Sequence, residues 1–211
     1  MVPCYQFLKK MIGFLVLQKH AMAQEFTVLK GLPQEPCYLL QFDGLSIPNP
    51  GEATSGAVLF SPTGEIVFET GEYMANGTNN TAEYTGLLIG VRLALEKGVR
   101  NIRIEGDSML VIKQVLGQWK VANVALSELH AKILVCLEKF DYVALRHVLR
   151  DKNSHADRIT NDVFKSKTSF VRCEGFHTVA ALAKEPTESS EMLTILKDIQ
   201  TKLGLLLEKL Q

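Results

Sequence analysis

Four acidic residues, Asp43, Glu83, Asp107 and Asp157, each stand in a distinct local setting. The segments are Gln41-Phe42-Asp43-Gly44, Thr78-Asn79-Asn80-Thr81-Ala82-Glu83-Tyr84, Glu105-Gly106-Asp107-Ser108 and Asn153-Ser154-His155-Ala156-Asp157. Carboxylate oxygens are hard ligands, and carboxylates that converge from separate elements suit two hard divalent cations. Two such ions support in-line displacement at a phosphodiester. Clustered like charges are costly without metal, so a bound divalent cation is expected to stabilise such a site.

Convergence requires particular elements. Tyr38-Leu39-Leu40-Gln41-Phe42 is an apolar strand running into Asp43-Gly44. Pro48-Asn49-Pro50-Gly51 is a turn. Ala57–Phe60 and Ile66–Tyr73 are two strands joined by Ser61-Pro62-Thr63-Gly64, a hairpin signal. From about Asn80 to Lys97, Tyr84, Leu87, Leu88, Val91, Ala94 and Leu95 recur at helical spacing, and Gly98 follows as a C-terminal stop. Asn101 to Gly106 alternates as a strand. Met109–Leu116 and about Ala125–Phe140 are helices, Tyr142–Leu149 is a strand, and Asn153–Phe164 is a helix. This order predicts an α/β domain with a mixed sheet, an antiparallel meander followed by crossover units. Asp43 and Asp107 are then expected to end strands, with Glu83 and Asp157 near the starts of their helices, so that all four meet at one edge.

Composition narrows the partners. The 211 residues carry 23 Lys+Arg and 23 Asp+Glu, so a nucleic-acid site must be a local basic patch. An apolar fraction of 46% supports a sizeable core and excludes a disordered chain. Cys4, Cys37, Cys136 and Cys173 form no CxxC pair, which fits reduced thiols rather than a zinc site. The apolar run Met11–Leu17 is too short to span a bilayer, so no membrane is expected. Residues 1–36 are an extension with a helix expected from about Tyr5 to Leu29. The start is acid-poor up to Glu25, but Arg is absent and Ser is lacking there, which weakens an organellar presequence. An intracellular place, in cytoplasm or nucleus, is expected, with mitochondrion or plastid left open. Met192, Leu196, Ile199, Leu203, Leu206 and Leu210 form a heptad seam in a helix of about residues 190–210. That helix either packs on its own domain or mediates self-association or docking of a protein partner.

Together these segments resemble type I ribonuclease H, in its compact stand-alone form. The resemblance covers about residues 37–165. Phe42-Asp43-Gly44 with Asn49-Pro50-Gly51, the Thr78–Tyr84 segment, Glu105-Gly106-Asp107-Ser108, Gly117-Gln118-Trp119-Lys120, and His147-Val148-Leu149-Arg150 with Asn153 and Ala156-Asp157 all fall in the family's order. The resemblance implies a three-layer ribonuclease H-like fold, with a five-stranded mixed sheet flanked by helices, over residues 37–166. The N-terminal extension and a segment 167–211 ending in the amphipathic helix lie outside it. It further implies endonucleolytic hydrolysis of the RNA strand of an RNA–DNA hybrid. Two Mg2+ ions, for which Mn2+ could substitute, would be held by Asp43, Glu83, Asp107 and Asp157. Asn79 and Asn80 match a hybrid-contacting pair and could also cap their helix. Ser108 could bond a phosphate or cap its helix. Gly44 and Asn49 would let the backbone approach the substrate. Arg150, with Lys113, Lys120 and Lys152, could form a phosphate patch. Trp119 could stack beside the DNA strand or serve as a core or lid aromatic.

Two features depart from the longer family members. Gln114 to Leu126 is far too short for their basic, Trp-rich protrusion. Only Arg150-Asp151-Lys152 stands where they carry a His-bearing loop, and His147, on its strand, is expected to be structural. His155 lies near Asp157 in the last helix and could approach the site. The flanking segments keep an alternative open: a ribonuclease H-fold, nucleic-acid-binding or structural subunit of a larger, even organellar, ribonucleoprotein, or a retroelement-derived domain.

Overall fold

The computed structural model describes residues 25–173 and the backbone of 176–179. The acid-poor start before residue 25 and the heptad segment of residues 190–210 lie outside the described residues.

A mixed sheet forms the frame. Its central meander is β2 (Tyr38–Ile47), β3 (Gly51–Phe60) and β4 (Ile66–Gly77), all antiparallel. On the other side of β2, β5 (Asn101–Gly106) and β6 (Tyr142–His147) run parallel to it. Parallel neighbours require crossovers. These are α1 (Asn79–Glu96) between β4 and β5, and α2 (Met109–Val115) with α3 (Val124–Leu137) between β5 and β6. The last helix, α4 (Ser154–Ser166), follows a short 3-10 turn at Arg150–Lys152.

The sheet is wider than the five strands expected. β1 (Thr27–Lys30) pairs antiparallel with β6, and β7 (Phe170–Cys173) and β8 (Phe176–Val179) extend the β4 side, giving the order β1-β6-β5-β2-β3-β4-β7-β8. The helix expected to run to Leu29 is therefore corrected at its end, where Thr27–Lys30 is a strand. Thr27 and Val28 are β-branched, and the open edge of β6 supplies the backbone partners that a local helical pattern lacks.

Alternation along β3 divides the layers. Ala57 and Leu59 join the main core with Leu40, Phe42, Tyr84, Leu87, Val91, Ile104 and Leu145. Val58 points to the opposite face and packs with Ile159 and Val163 of α4. Thus α1 to α3 cover one face and α4 the other. Helix α1 begins at a Thr78–Thr81 capping box, in which the Thr78 hydroxyl accepts from the Thr81 N–H at 3.1 Å. Cys37 and Cys136 are buried free thiols, and burial pushes the Cys37 thiol up. Among the described residues no helix is long and apolar enough to cross a membrane.

Candidate active site

The parallel pairing of β2 with β5 ends at Phe42 and Gly106. Asp43 and Asp107 are the next residue on each chain segment, so two carboxylates emerge side by side where the ladder stops. Asp107 ends its strand as expected. Asp43 does not: β2 continues to Ile47, paired there with β3 and no longer with β5. Residues Gly51–Phe60 form a strand longer than the sequence signal, and this second ladder carries β2 past the acid.

Glu83 reaches the pair because α1 lies unusually close to β2. A Cβ on Gly44 would sit 2.1 Å from the Glu83 backbone nitrogen, and one on Gly86 would sit 2.6 Å from the Asp43 carbonyl oxygen. Only glycine permits backbone to rest on backbone at those two points. Gly44, expected to admit substrate, here admits the helix that carries Glu83.

Asp43, Glu83 and Asp107 each present a carboxylate oxygen such that the three atoms lie within 4.8 Å of one another. Burial pushes Asp43 up to about 6, with the Asp107 and Asp157 charges adding to the rise while the Thr160 hydroxyl opposes it. Burial also holds Glu83 well above the usual carboxylate range, reinforced by Asp43 and Asp107. Glu83 Oε2 is buried with no hydrogen-bond partner. A buried carboxylate oxygen without a donor, on a residue clustered with two more acids, is the arrangement a hard cation satisfies. The donor set therefore fits a divalent metal.

Asp157 stands apart from this trio. Its Oδ1 accepts from Arg150 Nε at 3.1 Å and Nη2 at 2.5 Å, and its Oδ2 accepts from Asn161 Nδ2 at 3.0 Å. The four acids thus lie at one edge, but the fourth is turned to an arginine. Surrounding groups hold the trio in place. Asn153, fully buried, donates through Nδ2 to the Phe42 carbonyl at 2.8 Å and to Asp107 Oδ1 at 2.9 Å. His147 Nε2 lies 3.1 Å from the Asp107 carbonyl, the structural role expected of it. Thr160 donates to Asp43 Oδ2 at 2.8 Å. Asn153 was visible in sequence only as part of a motif, and Thr160 not at all. Its one signal is a position three residues after Asp157, on the same helical face.

The remaining residues divide by use. Asn79 Oδ1 accepts from the Ser46 N–H at 2.6 Å, and Asn49 Oδ1 accepts from the Asn79 N–H at 3.1 Å. Both therefore tie the β2–β3 turn to the start of α1. The capping role considered for the asparagines belongs to Thr78. Asn80 is exposed. Ser108 occupies the N-cap of α2 but makes no capping bond. Trp119 is half exposed on the loop after α2, not in the core. Lys113 donates to Gln118 Oε1 at 2.7 Å, while Lys120 and Lys152 are exposed. His155 turns away, its ring edge-on to Phe60 at 5.2 Å.

The sequence and fold are similar to those of known proteins. A family model described as reverse transcriptase-like matches residues 41–163, more than half of the chain and a span within which all four acids lie. The sequence is 39% identical over 121 residues to the ribonuclease HI of Halobacterium salinarum, covering 57% of this chain and 61% of that one. This chain belongs to the type I ribonuclease H family. Two solved ribonucleases H1 show the family fold beside it. That of Halobacterium salinarum matches with a TM-score of 0.60 at 36% identity, over 62% of this chain and 98% of its own. LC11-RNase H1, solved in complex with an RNA/DNA hybrid, matches with a TM-score of 0.58 at 28% identity, over 62% of this chain and 99% of its own. The chain spans 61% of the length of the Halobacterium ribonuclease HI and 41% of that of the mycobacterial relatives it also matches.

Proposed function

We propose that this protein hydrolyses the RNA strand of RNA–DNA hybrids with two divalent cations, Mg2+ or in its place Mn2+. The observation that carries the reading is the trio Asp43, Glu83 and Asp107 gathered at the sheet edge, with Glu83 Oε2 buried and unpartnered. Asp43, Glu83 and Asp107 would hold the cations, with Asp157 completing the set. The chemistry such a pair supplies when bound is a more acidic attacking water and a stabilised leaving 3′ oxygen.

The chain's own groups divide the remaining work. Asn153 fixes the Asp107 carboxylate against β2 and so keeps two ligands in register. Arg150 holds Asp157 at the rim and points a second positive face toward solvent, where a phosphate would pass. Exposed Asn80, with the Ser108 hydroxyl, lies on segments next to Glu83 and Asp107, suited to 2′-hydroxyls and phosphates of a hybrid. Asn79, Asn49 and Gly44 shape the wall behind them. The complex of LC11-RNase H1 with an RNA/DNA hybrid supports this choice of substrate.

Purified full-length protein with Mg2+ should cut the RNA strand of a hybrid, and Asp107→Asn should abolish the cut. No cleavage with either Mg2+ or Mn2+, or equal cleavage by Asp107→Asn, would refute the reading.

A further inference from the structure

We propose that Thr160 is a positioning residue of the metal site, its hydroxyl fixing the rotation of the Asp43 carboxylate toward the cations. The inference rests on the metal-site reading above and adds a residue to it. Thr160 is buried on α4, on the face it shares with Asp157 and Asn161. Its Oγ1 lies 2.8 Å from Asp43 Oδ2 and 2.8 Å from the Asp157 carbonyl oxygen. A hydroxyl has one proton, so it donates to one of these at a time.

The choice is decided by what each acceptor already has. The Asp157 carbonyl is served by Asn161 Nδ2 at 2.7 Å. Asp43 Oδ2 is buried, and the side-chain hydrogen bond that reaches it comes from Thr160. A bond to an ionised carboxylate is also roughly twice as strong as one to a neutral carbonyl. The proton therefore belongs to Asp43 whenever that group is charged, the form in which it binds a cation.

The hydroxyl is itself held rigidly. The Thr160 carbonyl accepts from Thr54 Oγ1 at 3.0 Å, and Thr54 is fully buried on β3. Gly56, two residues along, lets Ile159 pack directly on the strand, because a Cβ there would lie 2.8 Å from Ile159 Cγ2. The backbone of α4 is thus fixed against β3, next to the strand that bears Asp43. One oxygen of Asp43 is tied across the sheet to the helix of Asp157, and rotation about its side chain is suppressed. Partners of this kind typically contribute 10- to 100-fold in metal affinity.

The test uses the full chain with Thr160→Val, which keeps the shape and removes the hydroxyl, and Thr160→Ser, which keeps the hydroxyl. Mn2+ alone is the probe, with affinity measured by calorimetry and by electron paramagnetic resonance of free Mn2+. Circular dichroism checks the fold of each variant. Thr160→Val should weaken Mn2+ binding on the order of 10-fold or more, while Thr160→Ser stays near wild type. Wild-type affinity in folded Thr160→Val overturns the proposal. So does an equal loss in a folded Thr160→Ser, which would assign the effect to packing of the methyl group. If Thr160→Val does not fold, a loss of Mn2+ affinity in folded Thr160→Ser still overturns the proposal, because a hydroxyl role requires that variant to bind normally. A wild-type protein that binds no Mn2+ overturns the metal-site reading itself, a result distinct from an unchanged variant.

Discussion

Asp43 is buried and Glu83 partly buried among like charges, and their carboxyl groups favour the protonated form far more than free ones do. For a carboxyl raised in the folded state, the stability it lends is present below its unfolded value and is lost as pH rises through its folded value. For Asp43 that window runs from the ordinary carboxylate range to about 6. Thermal melts in a chelator should therefore show this contribution disappearing across the window. The rise in melting temperature on adding Mg2+ should be larger at about pH 7.5 than at about pH 5, because cation and proton compete for the same oxygens. Asp43→Asn should stabilise the cation-free protein at neutral pH, on the order of 1–3 kcal/mol, while removing most of the Mg2+ effect. Arg150 is a different case. Its guanidinium is mostly exposed, so its pair with Asp157 adds little to folding. Arg150→Ala should leave chemical denaturation within about 1 kcal/mol of wild type. Titration of a hybrid against salt should show weaker binding and a slope reduced by about one, the mark of one lost phosphate contact.

At the scale of elements, the site depends on how closely α1 approaches β2. Gly86 rests against the Asp43 and Gly56 carbonyl oxygens, at 2.6 and 3.0 Å from an added Cβ. Neither neighbour is a flexible side-chain end, so Gly86→Ala must push the helix outward. Urea denaturation should show a loss of about 1–3 kcal/mol. Mg2+ should stabilise the variant less than wild type, since Glu83 moves with the helix. A variant with unchanged stability and unchanged Mg2+ response would contradict the close-approach account. The extent of each element had its own cause. Helix α1 was legible from Leu87, Leu88, Val91 and Ala94 at helical spacing, all of them buried. The length of β2 was not, because Leu45, Ser46 and Ile47 form no apolar run and stay extended by pairing with Thr54, Ala53 and Glu52.

At the scale of the whole molecule, a chain with no net charge must draw a polyanion through a local site rather than an overall field. A cation that binds only the folded state also stabilises the entire domain. Mg2+ at about 100 times its dissociation constant should add about 2.7 kcal/mol to unfolding, and the increment should vanish in Asp107→Asn. Denaturation curves with Mg2+ and with chelator give both numbers. The four acids, their motifs, their order and the α/β alternation were legible in sequence, because residue type and hydrophobic period are local properties. The sequence by itself therefore determined the family and the chemistry that the acids can support. What only the tertiary structure decided is which groups touch. It placed Asp157 against Arg150, separate from the trio, and put Asn153 and Thr160 behind Asp107 and Asp43. It also made Gly44 a seat for α1 and Thr27–Lys30 an edge strand. Apart from the Asp157–Arg150 pair, each of these rests on a partner remote in sequence, and periodicity along one chain carries no record of what lies across the sheet.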